Sequence, residues 1–230
     1  MVPAGTQPVD CALLQLPACQ VAVVSATTGR FAPLATQPTG ITVVPRWPSR
    51  TSVPLDGRLW IPGLDPATKK PAVATSADGG RTWHTHVFTG VVPAVADHDG
   101  TIAGKYLPRV AAGADGAAYA LTYRTDDEVD AHYTGDGGRT WRVAGTIRDV
   151  RSDAGFVAAD GGHIVTTDTG FLAGRAGGRY TPVELPGFPA EPRQMPQVAL
   201  RKTTDRYLAT SSTHPYLSED GRRWRRLPLP

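Results

Sequence analysis

Long apolar runs, helical periodicity and cysteine are all scarce in this sequence. No apolar stretch approaches the ~18 residues of a membrane-spanning helix, so the chain itself is not expected to insert in a membrane. The first 20 residues have neither the basic start nor the continuous apolar centre of a signal peptide. Patterns of helical period are missing throughout, which removes the strand-turn-helix context that a Gly-rich phosphate loop requires. The two cysteines and six histidines of the 230 residues are too few and too scattered for a zinc cluster or a nucleophile-histidine constellation. No metal or cofactor is expected.

Turn-forming residues are abundant. Twenty-five Gly and 21 Pro, without a three-residue period and with 40% hydrophobic residues, point to many short strands joined by tight turns. The formal net charge of +3 is spread along the chain, except for Arg222, Arg223, Arg225 and Arg226 near the C-terminus. That run reads as a solvated strand end beside Trp224. A nucleic-acid partner is not expected, because no recognisable module carries a basic stripe with stacking aromatics. Cys11 and Cys19 are close enough in sequence for a disulfide across a short loop, which favours an oxidising, extracytoplasmic compartment.

The most informative feature is an internal repeat. Ser76-Ala-Asp78-Gly79-Gly80-Arg81-Thr82-Trp83 recurs as Thr134-Gly-Asp136-Gly137-Gly138-Arg139-Thr140-Trp141, and a shorter copy is Ser218-Glu-Asp220-Gly221-Arg222-Arg223-Trp224. Eroded copies end at Tyr180 and Phe31. The closing aromatics fall roughly 40 to 60 residues apart, about one four-stranded propeller blade each. The chemistry suits a hairpin corner: the Asp accepts from backbone N–H groups of its own turn, the glycines supply positive φ, and the Trp starts the next strand. Short runs rich in β-formers complete the units, such as Arg109–Gly113, Ala118–Tyr123 and Ala131–Thr134 before the second box.

This motif resembles the Asp box, Ser-x-Asp-x-Gly-x-Thr-Trp, of the bacterial neuraminidase repeat propellers, which include sialidases and sortilin-type receptors. The resemblance implies an all-β propeller of about five blades, each a three- or four-stranded antiparallel sheet, in one domain over residues 1–230. The blades are expected near 1–38, 39–89, 90–145, 146–186 and 187–230, the first lacking one strand. It also implies that Asp78, Trp83, Asp136, Trp141, Asp220 and Trp224 are structural, since the box lies away from the ligand face.

Aligned on the boxes, Arg46, Arg109, Arg151 and Arg193 share one phase near the start of each first strand. Guanidinium groups converging on one mouth suit a carboxylate, sulfate or phosphate, and sialidases place an arginine triad around the substrate carboxylate in a comparable way. The Phe/Tyr-Arg-Ile-Pro motif that carries the first of those arginines is absent, with Val43-Val-Pro-Arg46-Trp47-Pro48 in its place. No pair of carboxylates facing one sugar can be nominated. The acidic run Asp126-Asp127-Glu128-Val129-Asp130 reads as a solvated loop, and Asp97-His98-Asp99-Gly100 as a turn. The expectation is therefore a monomeric, non-catalytic, secreted or cell-surface module for a glycan, peptide or protein partner, its signal or anchor lying outside this chain. The alternative is a sialidase-like glycoside hydrolase acting on an anionic sugar.

Overall fold

The computed structural model describes residues 2–4, 20–24, 31–43, 58–91, 107–125, 127–151, 155–176, 178–188, 197–201, 206–210 and 214–228. Cys11, Cys19, Arg46, Arg193, Asp126 and the Asp97–Gly100 segment lie outside the described residues. Among the described residues eighteen strands form five sheets, and no helix occurs.

The first sheet holds β1 (Val2–Ala4), β2 (Gln20–Val24) and β3 (Phe31–Pro33). The second holds β4 (Leu59–Leu64), β5 (Pro71–Ser76) and β6 (His84–Val87). The third is built from β7 (Arg109–Ala112), β8 (Ala118–Tyr123), β9 (Glu128–Thr134) and β10 (Arg142–Arg148). The fourth contains β11 (Phe156–Val157), β12 (His163–Thr167), β13 (Gly170–Gly174) and β14 (Thr181–Val183). The fifth contains β15 (Gln197–Arg201), β16 (Arg206–Thr210), β17 (Pro215–Ser218) and β18 (Arg225–Arg226). Every pairing is antiparallel, in plain meander order.

Consecutive sheets stack face to face. Leu34, which follows β3, packs with Leu59, Ile61 and Ala74 of the second sheet. Trp60, Val73 and Phe88 of that sheet meet Ala118 and Ala120 of the third. Leu121, Val129 and Ala131 meet Val165 of the fourth. Phe156 and Ile164 then meet Tyr207, Ala209 and Trp224 of the fifth. At one edge of the stack β4 touches β7, and β7 touches β11. Successive three- and four-stranded meanders stacked through their faces and meeting along their first strands are the blades of a β-propeller.

This stacking explains a sequence pattern that departs from simple alternation. A sheet covered on one face alternates apolar and polar residues, but a blade is covered on both. The middle strands β5 and β12 are accordingly buried along their whole lengths, and small residues such as Ala72, Ala74, Ala118 and Ala120 let neighbouring sheets approach. The outermost strands β14 and β18 are largely exposed.

Two expectations need correction. The acidic run is only in part a solvated loop: Asp127 is exposed ahead of β9, but Glu128, Val129 and Asp130 lie within β9 and Asp130 is only 2% exposed. Its carboxylate accepts from Thr146 Oγ1 at 2.7 Å and Arg124 Nε at 3.1 Å, so the charge enters the fold already paired. The box tryptophans also differ from one another: Trp224 is buried, whereas Trp83 and Trp141 are half-buried, and the last strand of each sheet starts one residue after them.

Candidate functional site

The two ends of each sheet have different chemistry. At one end stand the corners. In the corner between β5 and β6, the Ser76 hydroxyl donates to Asp78 Oδ1 at 2.7 Å and accepts from Gly80 N at 2.8 Å. Asp78 Oδ1 also accepts from Arg81 N and Thr82 N, while Oδ2 accepts from the Thr82 hydroxyl at 2.7 Å. The corner between β9 and β10 repeats this with Thr134, Asp136, Gly138 and Thr140. Hydrogen bonds that favour the ionised form, led by those from Thr82 and Thr140, hold the Asp78 and Asp136 carboxyls well below the usual range. These carboxylates are occupied as turn acceptors, and each belongs to a different sheet.

Gly138 shows why the corner needs its second glycine. Its φ is +86°, and an added Cβ would lie 2.6 Å from Thr75 Cγ2 and 2.9 Å from Trp60 Cζ3. The corner of the third sheet therefore packs directly on the second. Trp141 closes the same seam edge-on to Trp60 and Phe88, with ring centroids 5.8 and 5.4 Å apart.

The fourth sheet has no Asp at this place, and its turn is held differently. Tyr180 lies against Gly145 and Gly174; a Cβ at Gly174 would lie 2.8 Å from its ring, and one at Gly145 would be in tight contact at 3.2 Å. Its hydroxyl is 2.7 Å from Nδ1 of the fully buried His163, which stacks on Tyr119 at 4.5 Å. Burial raises the Tyr180 phenol strongly, and it raises Tyr119 to about 12.

The opposite end of the third and fourth sheets carries Arg109 and Arg151. Ala112 pairs with Ala118, which pairs with Thr134 at the corner, so Arg109 at the other end of β7 lies away from it. Arg109 is 7% exposed. Its Nη2 donates to the Tyr123 hydroxyl at 3.2 Å, and its guanidinium carbon sits 5.1 Å from the centre of that ring. Its Nε and Nη1 are buried without a hydrogen-bond partner.

Arg151 also lies at the end away from the corner, where its N–H donates to Thr166 O. Its Nε is 2.7 Å from Asp168 Oδ1, an ion pair within its own sheet whose N–H is not aligned for a hydrogen bond. Of the four in-phase arginines, the described pair thus occupies the same end of adjoining sheets, one charge unmatched and the other paired. Tyr123 was not anticipated from the sequence. The signal was present in the register, since Arg109 pairs with Leu121 and Tyr123 is the next residue on that face.

Among the described residues no group of three or more His, Cys, Asp or Glu is placed to hold a metal ion. No helix among them is long and apolar enough to cross a membrane.

No protein-family model matches the chain, and no curated protein matches it. Solved structures do. The gluconolactonase XC5397 from Xanthomonas campestris aligns with 14% identity and a TM-score of 0.47, over 90% of this chain and 65% of its own length. YCF48 bound to D1 peptide aligns with 15% identity and a TM-score of 0.34, over 74% of this chain and 64% of its own. A mutant Trypanosoma rangeli sialidase displaying trans-sialidase activity aligns with 14% identity and a TM-score of 0.33, over 90% of this chain and 40% of its own. The chain thus spans less than two thirds of each of these structures.

Proposed function

We propose that the chain is an Asp-box propeller acting as a non-catalytic binding module outside the cytoplasm, and that its glycan, peptide or protein partner presents an acidic group to Arg109. Arg109 carries this reading. A guanidinium removed from water with two donors unsatisfied costs several kcal/mol unless something completes it. A carboxylate or sulfate is the group that a planar fork fits best. Asp78 and Asp136 support a role without turnover, because both carboxylates are spent within their turns. The spacing of Cys11 and Cys19 suits a disulfide formed in an oxidising compartment.

Titration of the intact chain with acetate and with N-acetylneuraminate, read by calorimetry, tests the site. Binding that weakens at least roughly tenfold in Arg109→Met supports it, since a charge-assisted pair of this kind is worth about 1.5–3 kcal/mol. Equal affinity of the variant and the parent chain removes Arg109 from the site. Hydrolysis of a fluorogenic sialoside, abolished by Arg109→Ala, would replace the binding module by a glycoside hydrolase.

A further inference from the structure

The corner of the fifth sheet departs from the repeated corners in four coupled ways. It is one residue shorter, and Arg223 stands where the other corners place the Thr that bonds the second carboxylate oxygen. Asp220 uses Oδ1 alone, accepting from Ser218 Oγ, Arg222 N and Arg223 N at 2.7–3.0 Å. In the other two corners the Trp indole N–H donates to a carbonyl, Thr36 O and Gly138 O respectively, whereas Trp224 Nε1 is buried with no partner. Finally, a cleft of about 370 Å³ opens here, bordered by Leu217, Glu219, Asp220, Arg223, Trp224 and Arg225. A position that breaks its own repeat's rule without a compensating contact is a candidate for function.

Positive charge gathers at the same seam. Arg222 reaches back to the fourth sheet and shares Asp160 with Arg175, two guanidinium groups within 3.3 Å of one carboxylate. Arg223, Arg225 and Arg226 are exposed, with Arg226 against His214. The nearby carboxylate of Asp220 is held by its turn, and among the described residues Glu219 and Asp160 are the other acids at this surface. The cleft sets two exposed guanidinium groups over the edge of a buried indole, and none of its bordering residues offers an exposed aromatic face on which a base could stack. That surface fits a saccharide bearing charged substituents, whose anions the forks take.

We propose that the cleft at the fifth corner, extended along the seam with the fourth sheet, binds a sulfated polysaccharide chain. This surface lies at the end of the sheets opposite Arg109 and does not rest on the acidic-ligand reading of that residue.

The experiment uses the intact chain and fluorescence anisotropy with a labelled heparin oligosaccharide, its desulfated counterpart and a single-stranded DNA of similar charge. Heparin is expected to bind, with affinity falling as salt is added, and the desulfated sugar to bind much more weakly. The double variant Arg223→Ser/Arg225→Ser should lose roughly tenfold or more in affinity, as expected for two charge-assisted contacts. Arg81→Ser/Arg139→Ser removes the same charge from the other corners and should change affinity little. Thermal melts verify that each variant folds. Should the serine pair not fold, Arg223→Lys/Arg225→Lys keeps the charge but not the fork, and severalfold weaker binding is expected. No heparin binding, equal losses from the two serine pairs, an unchanged lysine pair, or DNA bound as tightly as heparin would each overturn the proposal. A loss confined to Arg109→Met, with both serine pairs unchanged, would place the anion at the other end of the sheets instead.

Discussion

The third and fourth blades solve one problem with different chemistry. Both must hold a tight hairpin between their last two strands while presenting an aromatic ring to a seam between sheets. The third blade does this locally, with Asp136 collecting the Thr134 hydroxyl, the Thr140 N–H and the Thr140 hydroxyl within one turn. The fourth does it at a distance: Tyr180 crosses two glycines to reach His163, and the turn itself contains no carboxylate. A motif can therefore erode to Gly-Gly-Arg-Tyr without loss of the blade, provided that the ring is anchored by the sheet behind it. Local hydrogen bonds and seam packing are interchangeable means of fixing the same corner.

Removing the anchor of the fourth corner should have the largest effect. Tyr180→Ala deletes a half-buried ring packed against Gly145, Gly174 and His163, and an aromatic lost from such packing costs up to about 3–5 kcal/mol. Urea denaturation followed by circular dichroism measures it. A loss below that for Asp136→Ala would show that the two corners are not equivalent devices.

The third blade also contains an acid-sensitive seam. His132 is 7% exposed between Phe88, at 4.5 Å, and Thr122, whose hydroxyl is 2.8 Å from Nε2. Burial lowers its pKa from the ordinary 6.5 to about 4; the neighbouring charges of His86 and Arg124 act in the same direction, and that of Asp130 opposes it. The unfolded chain then binds more protons than the folded one between pH 6.5 and 4. Stability is complete above pH 6.5, declines as pH falls through that window, and the total loss is roughly 3 kcal/mol. His132→Gln should flatten the profile of urea midpoint against pH between those limits. An unchanged slope would assign the acid sensitivity to another group.

The smallest effect belongs to the local device. Asp136→Ala removes acceptors for one hydroxyl pair and one backbone N–H at a partly exposed turn, and comparable caps are worth about 0.5–2 kcal/mol. Asp78→Ala should act in the same direction. The depressed pKa of both groups means that their contribution is present above the unfolded carboxylate pKa and disappears only as pH falls below the ordinary carboxylate range. Equal acid midpoints for the parent chain and the double variant would contradict this.

Much of the scaffold was legible in the residues. The strand Ala118–Tyr123 occurs with the bounds that its turn signals indicate, with Gly116 before it and the Asp126-Asp127 pair after it. The end of the acidic run within β9 was misread because charge density was taken as a measure of exposure. Arg124 and Thr146, which neutralise and bond Asp130, reach it from the turn before β9 and from the next strand. The in-phase arginines were visible as a pattern, but their pairing was not. Whether a guanidinium meets a carboxylate, as Arg151 meets Asp168, or only a phenol, as Arg109 meets Tyr123, depends on side chains across the sheet.

By itself the sequence determined the repeat, the hairpin corners and the five-sheet plan. Those follow from turn chemistry and β-propensity acting over a few residues, where positive φ and a short side-chain acceptor leave little choice. Only the tertiary structure decided which face of each strand is buried, which of the arginines is paired, and which corner opens into a cleft. Those outcomes depend on what the neighbouring blade brings to the seam. Desolvation and pairing between residues far apart in the chain are set by the packing of sheets, and no spacing along one strand encodes them.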